Sequence, residues 1–223
     1  LIYSESIPTE INLINCTMSL TCQQLLQTYP SEWHEATVHP FLAQCRTGEI
    51  HAQQFNTWLV QDYLFVVEFT RMAARLLAAA PVHHFDTLLA GLHALKEELN
   101  WFRDKASDRQ ISLDATKQPT CSEYCDYMTS LATAPYAVQA TAFWAIEYAY
   151  NQGWQLPGHM VPPYDEFANR WGNSGFTEYV QLLAQQADES LQHASENWQQ
   201  QAKSAFLEIA RLEKDFWQMA YGA

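Results

Sequence analysis

The run EIHAQQFNTWLVQDYLFVVEFTRMAARLLAAA, residues 49–80, decides the fold. It contains neither glycine nor proline. Within it Phe55, Trp58, Leu59, Asp62, Phe65, Val66 and Phe69 recur at three- and four-residue intervals, which lays them along one face of a helix. Asp62 interrupts that otherwise apolar stripe. The stretches from Tyr136 to Gln152 and from Phe176 to Tyr221 are equally free of breakers. Ser31 after Pro30, Asp86, and Thr120 and Ser122 after Pro119 are candidate helix caps; Ser195 divides the C-terminal stretch into two helices. Residues 107–119 and 153–163 read as loops. No Asn-Gly hairpin and no alternating valine-rich strand is present. The expectation is an all-α, single-domain bundle of about seven or eight helices.

The chain has 223 residues, 48% of them hydrophobic, enough for a sizeable core. A formal net charge of −13, with only 12 Lys and Arg and no basic run, argues against nucleic acid and anionic membrane surfaces as partners. No apolar stretch approaches the roughly 20 residues that span a bilayer. The opening LIYSESIPTEINLINC lacks a charged segment followed by an apolar one and does not read as a signal peptide. Met18 as a later start and a fragment of a longer chain both stay open. Residues 1–20 are expected to be a loosely packed N-terminal extension, and residues 21–223 the helical domain. Five scattered cysteines suit a reducing cytoplasm better than a disulfide framework.

Three carboxylates stand out because rings surround them in sequence. Asp62 is flanked by Trp58, Tyr63 and Phe65; Glu147 by Phe143, Trp144 and Tyr148; Glu213 has Phe216 three residues on. A carboxylate facing the core must be paired, hydrogen-bonded or raised in pKa. For Asp62 an ion pair with Arg71 or Arg75 is the structural alternative. Of the pair Glu97 and Glu98, at most one can face a pocket. Carboxylates raised toward neutrality suit general acid/base work. No Glu-x-x-His pair occurs, so a di-iron site has no spacing signature. Glu35 with His39, Glu189 with His193, and Cys121 with Cys125 are four residues apart, which is weak evidence for zinc. No Gly-x-Ser-x-Gly elbow, P-loop or dinucleotide fingerprint is present.

The run HPFLAQCRTGEIHAQQFNTWLVQDYLFVVEF, residues 39–69, resembles the signature of the TenA family (thiaminase II, aminopyrimidine aminohydrolase). TAFWAIEYAYNQGW, RWGNSGFTEYV and LEKDFWQMAYG follow in the expected order, so the resemblance covers roughly residues 31–222. It looks closest to a branch of plants and some bacteria in which a glutamate type replaces the cysteine type. The resemblance implies a haem-oxygenase-like helical fold and salvage of thiamin breakdown products. It implies 4-amino-5-aminomethyl-2-methylpyrimidine or its N-formyl precursor as substrate, with no metal or organic cofactor. A homodimer or homotetramer is the expected assembly.

Residue by residue, the resemblance puts the pyrimidine-binding aspartate on Asp62 and the stacking aromatic on Phe65. It puts a pocket tyrosine on Tyr124, the catalytic glutamate on Glu213 and its companion ring on Phe216. Trp144 and Glu98 join the expected substrate-binding set. The family's nucleophilic cysteine falls on Ala142, and a pocket tyrosine on Ile146. An alanine cannot form a covalent intermediate. The remaining groups suggest direct attack by water, with Asp62, Glu147 and Glu213 as catalytic residues. A displaced thiol, Cys45, Cys121 or Cys125, is a less favoured stand-in. Two rival readings are a pyrimidine-binding protein without activity and a haem or di-iron oxygenase of the same fold, for which His34 or His39 would be needed.

Overall fold

The computed structural model describes residues 19–223. The expected extension, residues 1–20, therefore lies outside the described residues except for Ser19 and Leu20. The described part contains ten α-helices, two single 3₁₀ turns and no strand. Three short helices come first: α1 (Cys22–Thr28), α2 (Pro30–Thr37) and α3 (Pro40–Thr47). The long ones are α4 (Ala52–Ala79), α5 (Phe85–Asp108), α6 (Pro119–Ser130), α7 (Tyr136–Gln155), α9 (Ser174–Gln192) and α10 (Glu196–Tyr221), with a short α8 (Asp165–Trp171) between α7 and α9. The all-helical expectation holds. The count of seven or eight is too low, because residues 22–47 split at Pro30 and Pro40 into three short helices. Among the described residues no helix is long and apolar enough to cross a membrane.

All seven residues of the stripe that opened the reading are buried on α4. α7 is the central helix. Every residue in it is buried except Tyr136, Tyr148, Gln152 and Gln155, and it packs against α2, α4, α8, α9 and α10. A helix apolar on all sides needs neighbours on all sides. Its alanines allow those neighbours to approach.

Ser195 caps α10, accepting from the Trp198 amide at 3.3 Å. The other candidate caps lie two to four residues beyond the true N-caps Tyr29, His84 and Gln118. Pro30 and Pro119 themselves occupy the first helical turn, where a missing N–H costs nothing, so Ser31, Thr120 and Ser122 fall inside their helices. α5 starts at Phe85 directly after the 3₁₀ turn Val82–His84, placing Asp86 in its first turn. The loop expected from residue 153 begins later. Gly153 stays helical, packed against Leu42 and Trp217, and makes no turn. His39, in the His-Pro-Phe block, uses Nδ1 to accept from the Phe41 amide at 3.1 Å and so caps α3.

Candidate active site

Four helices each send one carboxylate inward: Asp62 from α4, Glu98 from α5, Glu147 from α7 and Glu213 from α10. Asp62, Glu147 and Glu213 are buried, and the Glu98 side chain is 12% exposed. Glu97 points outward and pairs with Lys96, so only one of the two adjacent glutamates faces the interior. The Tyr124 hydroxyl donates to Glu213 Oε1 at 2.5 Å. The Trp171 ring N–H donates to Glu98 Oε2 at 3.2 Å, and Arg170 Nε lies 3.8 Å from the same oxygen. The Tyr179 hydroxyl reaches Glu147 Oε1 at 3.5 Å.

Asp62 is the exception. It is wholly buried, and neither of its oxygens has a hydrogen-bond partner. The arginine partners considered from the sequence do not reach it. Arg71 pairs with Glu68 at 2.7 Å, and the Arg75 Nε and Nη2 are themselves unpartnered. The Tyr150 hydroxyl, also without a partner in bonding geometry, faces Asp62 closely enough to favour its ionised form. Tyr150 also feels the charges of Glu213 and Glu98, which puts this ring amid the carboxylates.

Burial dominates the electrostatics. It pushes Glu213 up to about 8, against the stabilising Tyr124 hydroxyl. It pushes Glu98 up to about 7, with Arg170 and the Trp171 N–H holding it back. Glu147 is raised by burial first and by the charge of Glu98 second. Asp62 is raised by burial, opposed by Tyr150 and reinforced by Glu98 and Glu213. Like-charged groups this close in a dry interior cannot all ionise, so at neutral pH the cluster holds protons ready to give.

Phe65, Tyr124 and Phe216 form an aromatic wall beside Glu213, with Phe65 to Tyr124 at 4.7 Å and Phe65 to Phe216 at 5.7 Å between ring centroids. An inner chamber of about 20 Å³ is lined by Phe65, Glu98, Ile146, Glu147, Tyr150 and Trp171, among others. Such a space holds one water-sized group. An outer vestibule of about 300 Å³ opens among Gly91, Leu95, Phe176 and Tyr179 and shares Glu98 and Glu147 with the chamber. These two glutamates thus stand at the doorway between the two spaces. Gly91 is fitted to this doorway, since a Cβ there would lie 2.3 Å from the Tyr179 hydroxyl. Ala142 is buried one helical turn before the chamber-lining Ile146.

The structure thus brings together Asp62, Glu98, Glu147 and Glu213 with Phe65, Tyr124 and Phe216. It does not bring Trp144 to them. That ring lies on another flank of α7, stacked against Trp33 at 6.3 Å and Phe206 at 6.0 Å, and lines a separate cleft with Cys22, Asn151 and Asp188. Six residues at 100° each separate Trp144 from Tyr150 by about 120° around the helix. Sequence reasoning missed Tyr150, Trp171 and Tyr179. Tyr150 carried a usable signal, since it follows Glu147 by three residues. Trp171 and Tyr179 reach their glutamates only through the tertiary fold. Cys22, Cys45, Cys121 and Cys125 are buried free thiols. Of these, Cys121 lies near Asp62; its thiol donates to the Gln61 carbonyl at 3.5 Å, and its pKa is raised.

A family model described as the TENA/THI-4/PQQC family matches residues 27–223. A probable bifunctional TENA-E protein of Glycine max is 36% identical over 202 residues, covering 85% of this chain and 88% of the relative. An aminopyrimidine aminohydrolase of Halalkalibacterium halodurans is 28% identical over 204 residues, covering 85% and 90%. Among solved structures, a TenA homologue of Pyrococcus furiosus superimposes with a TM-score of 0.85 at 28% identity, over 89% of this chain and 98% of that one.

Proposed function

The chain belongs to the TENA/THI-4/PQQC family, and on that premise we propose that it hydrolyses a C–N bond of a pyrimidine derived from thiamin breakdown, using carboxylates and water where the cysteine type uses a thiolate. The observation that carries this reading is Asp62. A fully buried carboxylate with both oxygens unpartnered is costly in a resting fold. It becomes reasonable if a ligand supplies two donors side by side. The amino group of a 4-aminopyrimidine and its neighbouring ring nitrogen present that edge once the ring nitrogen takes the proton that the buried, raised-pKa Asp62 carboxyl gives up. The names of the relatives, an aminopyrimidine aminohydrolase and a bifunctional TENA-E protein, support the substrate class. The presence of alanine at position 142 supports the cysteine-lacking branch.

With 4-amino-5-aminomethyl-2-methylpyrimidine anchored on Asp62, its ring lies against Phe65, Tyr124 and Phe216. Glu213, protonated up to about pH 8, gives its proton to the leaving amine as the C–N bond breaks. Within the Glu98–Glu147 pair the ionised member takes a proton from water as the water oxygen bonds to the exocyclic carbon. Ammonia and the hydroxymethyl pyrimidine result, and the acquired proton returns to Glu213 through solvent. The N-formyl precursor fits the same anchor, with water attacking the formyl carbon and formate leaving. Because the inner chamber holds only a water-sized group, the substrate enters as side chains at the doorway, Tyr179 among them, swing aside.

Cytoplasmic placement and a homodimer or homotetramer belong to the same reading; exposed Val82, Leu89 and Leu182 are in keeping with subunit contacts. Residues 1–20 are taken as an extension and residues 21–223 as the catalytic domain. The test is ammonia and formate release from both pyrimidines by the purified chain. Turnover of one or both is expected. Tight binding of the hydroxymethyl pyrimidine without turnover of either would make the protein a binding module instead.

Trp144 supplies a second check. Its stacked position away from the carboxylates makes it a packing residue. Trp144→Ala is expected to cost about 3–5 kcal/mol of stability in a denaturant titration. Trp144→Phe should keep kcat/KM within about twofold. A large rise in KM for Trp144→Phe at unchanged stability would return the ring to the substrate site.

A further inference from the structure

Outside the carboxylate cluster, the 3₁₀ turn Val82–His84 between α4 and α5 meets α9 at Glu189. His83 Nε2 lies 2.8 Å from Glu189 Oε1, and His84 Nε2 lies 3.3 Å from Oε2. Two imidazole nitrogens and one carboxylate thus converge, their ligand atoms all within 4.8 Å of one another. The rings stand at 70° to each other with centroids 4.3 Å apart, so the two Nε2 atoms approach a common point from different directions.

The two histidines differ in burial in an informative way. His83 is largely exposed, but the His84 side chain is only 3% exposed. Its Nδ1 is 2.8 Å from the Tyr136 hydroxyl, and its carbonyl accepts from Gln186 Nε2 at 3.3 Å. The Tyr136 hydroxyl oxygen can accept from Nδ1–H at that distance. With Nδ1 held this way, Nε2 points at the Glu189 carboxylate, and a cation bound between them would take the place of the proton they share. A ring fixed through its second nitrogen, with its first presented to a neighbouring donor set, is the arrangement a metal-bound histidine requires.

We propose that His83, His84 and Glu189 bind one divalent transition-metal cation of the zinc class, tying the α4–α5 turn to α9. Zinc–nitrogen bonds of about 2.0–2.1 Å in a tetrahedron put neighbouring ligand atoms about 3.3–3.4 Å apart. The present spacings reach that by side-chain movements below about 1 Å per ligand. Two imidazoles with one carboxylate favour zinc, nickel or copper over magnesium and calcium. The exposed side, where His83 and Glu189 meet solvent, leaves a fourth position for water. None of the three residues lines the inner chamber or its vestibule, so the site is separate from the proposed chemistry. Ligands drawn from two segments about a hundred residues apart have no spacing signature in the sequence.

The test is calorimetric titration of chelator-treated full-length chain with Zn²⁺, with Mg²⁺ as a parallel arm. One Zn²⁺ per chain is expected, with no heat from Mg²⁺. At a hundredfold excess over Kd the thermal midpoint should rise by roughly 5–10 °C. Exposed His83→Ala and Glu189→Gln should each weaken Zn²⁺ binding by at least about tenfold while circular dichroism shows an unchanged fold. Absence of stoichiometric Zn²⁺ binding, or unchanged binding in both variants, would overturn the site.

Discussion

Glu213→Gln is expected to lower kcat by roughly 10²- to 10⁴-fold and to raise the thermal midpoint at pH 8 by several degrees. Both effects have one cause. Burial pushes the Glu213 carboxyl from an ordinary 4.5 up to about 8, which makes it a proton donor at working pH and an expensive group to ionise. The native chain therefore holds one more proton than the unfolded chain between about pH 4.5 and pH 8. Its contribution to stability is full below about pH 4.5 and is lost as pH rises through about 8, at a slope on the order of 1.4 kcal/mol per pH unit. Glutamine keeps an acceptor for the Tyr124 hydroxyl but has no proton to give and none to lose. Thermal melts of both chains from pH 4.5 to pH 9 should converge at the acid end and separate at the alkaline end. Parallel melting curves across that range would mean that Glu213 titrates normally and is not the donor.

Asp62→Asn is the second large effect. Two charge-assisted hydrogen bonds to the pyrimidine edge, at about 1.5–3 kcal/mol each, are replaced by one retained bond and one donor facing a donor. A fall in kcat/KM of at least about 10²-fold is expected, together with weaker binding of the hydroxymethyl pyrimidine by calorimetry. The same substitution should raise stability at neutral pH, because it removes a buried carboxyl whose cost of ionisation only the Tyr150 hydroxyl opposes. The sign again follows from a raised pKa: the stability supplied by protonated Asp62 is present below its unfolded pKa and is lost as pH rises. A variant that bound the product normally would leave the unpartnered carboxylate without the role assigned to it. Gains in stability with losses in activity at both positions would mark the site as strained for function.

Much of this was readable from residues alone, and the reason is locality. The stripe on α4 is a 3.6-residue period with a single polar interruption, so Asp62 had to face the core. The pair Glu97 and Glu98 was half legible: adjacency on a helix says that at most one faces a pocket, and the fold gives that place to Glu98 while Glu97 pairs with Lys96. Ser195 was legible because a cap acts within three residues. Trp144 shows where that logic fails. Since α7 is buried on all sides, periodicity cannot say which flank looks into the chamber and which packs on Trp33 and Phe206. Tyr124 as a pocket tyrosine came from the family resemblance; that its hydroxyl bonds Glu213, across 89 residues of chain, did not. Trp171 on Glu98, Tyr179 on Glu147 and the two histidines on Glu189 depend on the same kind of long-range closure, which local patterns do not encode.

Hydrolysis here is expected to need carboxylates and no thiol. The most direct test is ammonia release from 4-amino-5-aminomethyl-2-methylpyrimidine by the doubly substituted chain Cys121→Ala, Cys125→Ala, which removes the thiol near Asp62 and its hydrogen-bonded neighbour. A kcat within about threefold of the unsubstituted chain is expected. Loss of turnover in a chain that still folds and still binds the hydroxymethyl pyrimidine would contradict it and place a cysteine back in the chemistry.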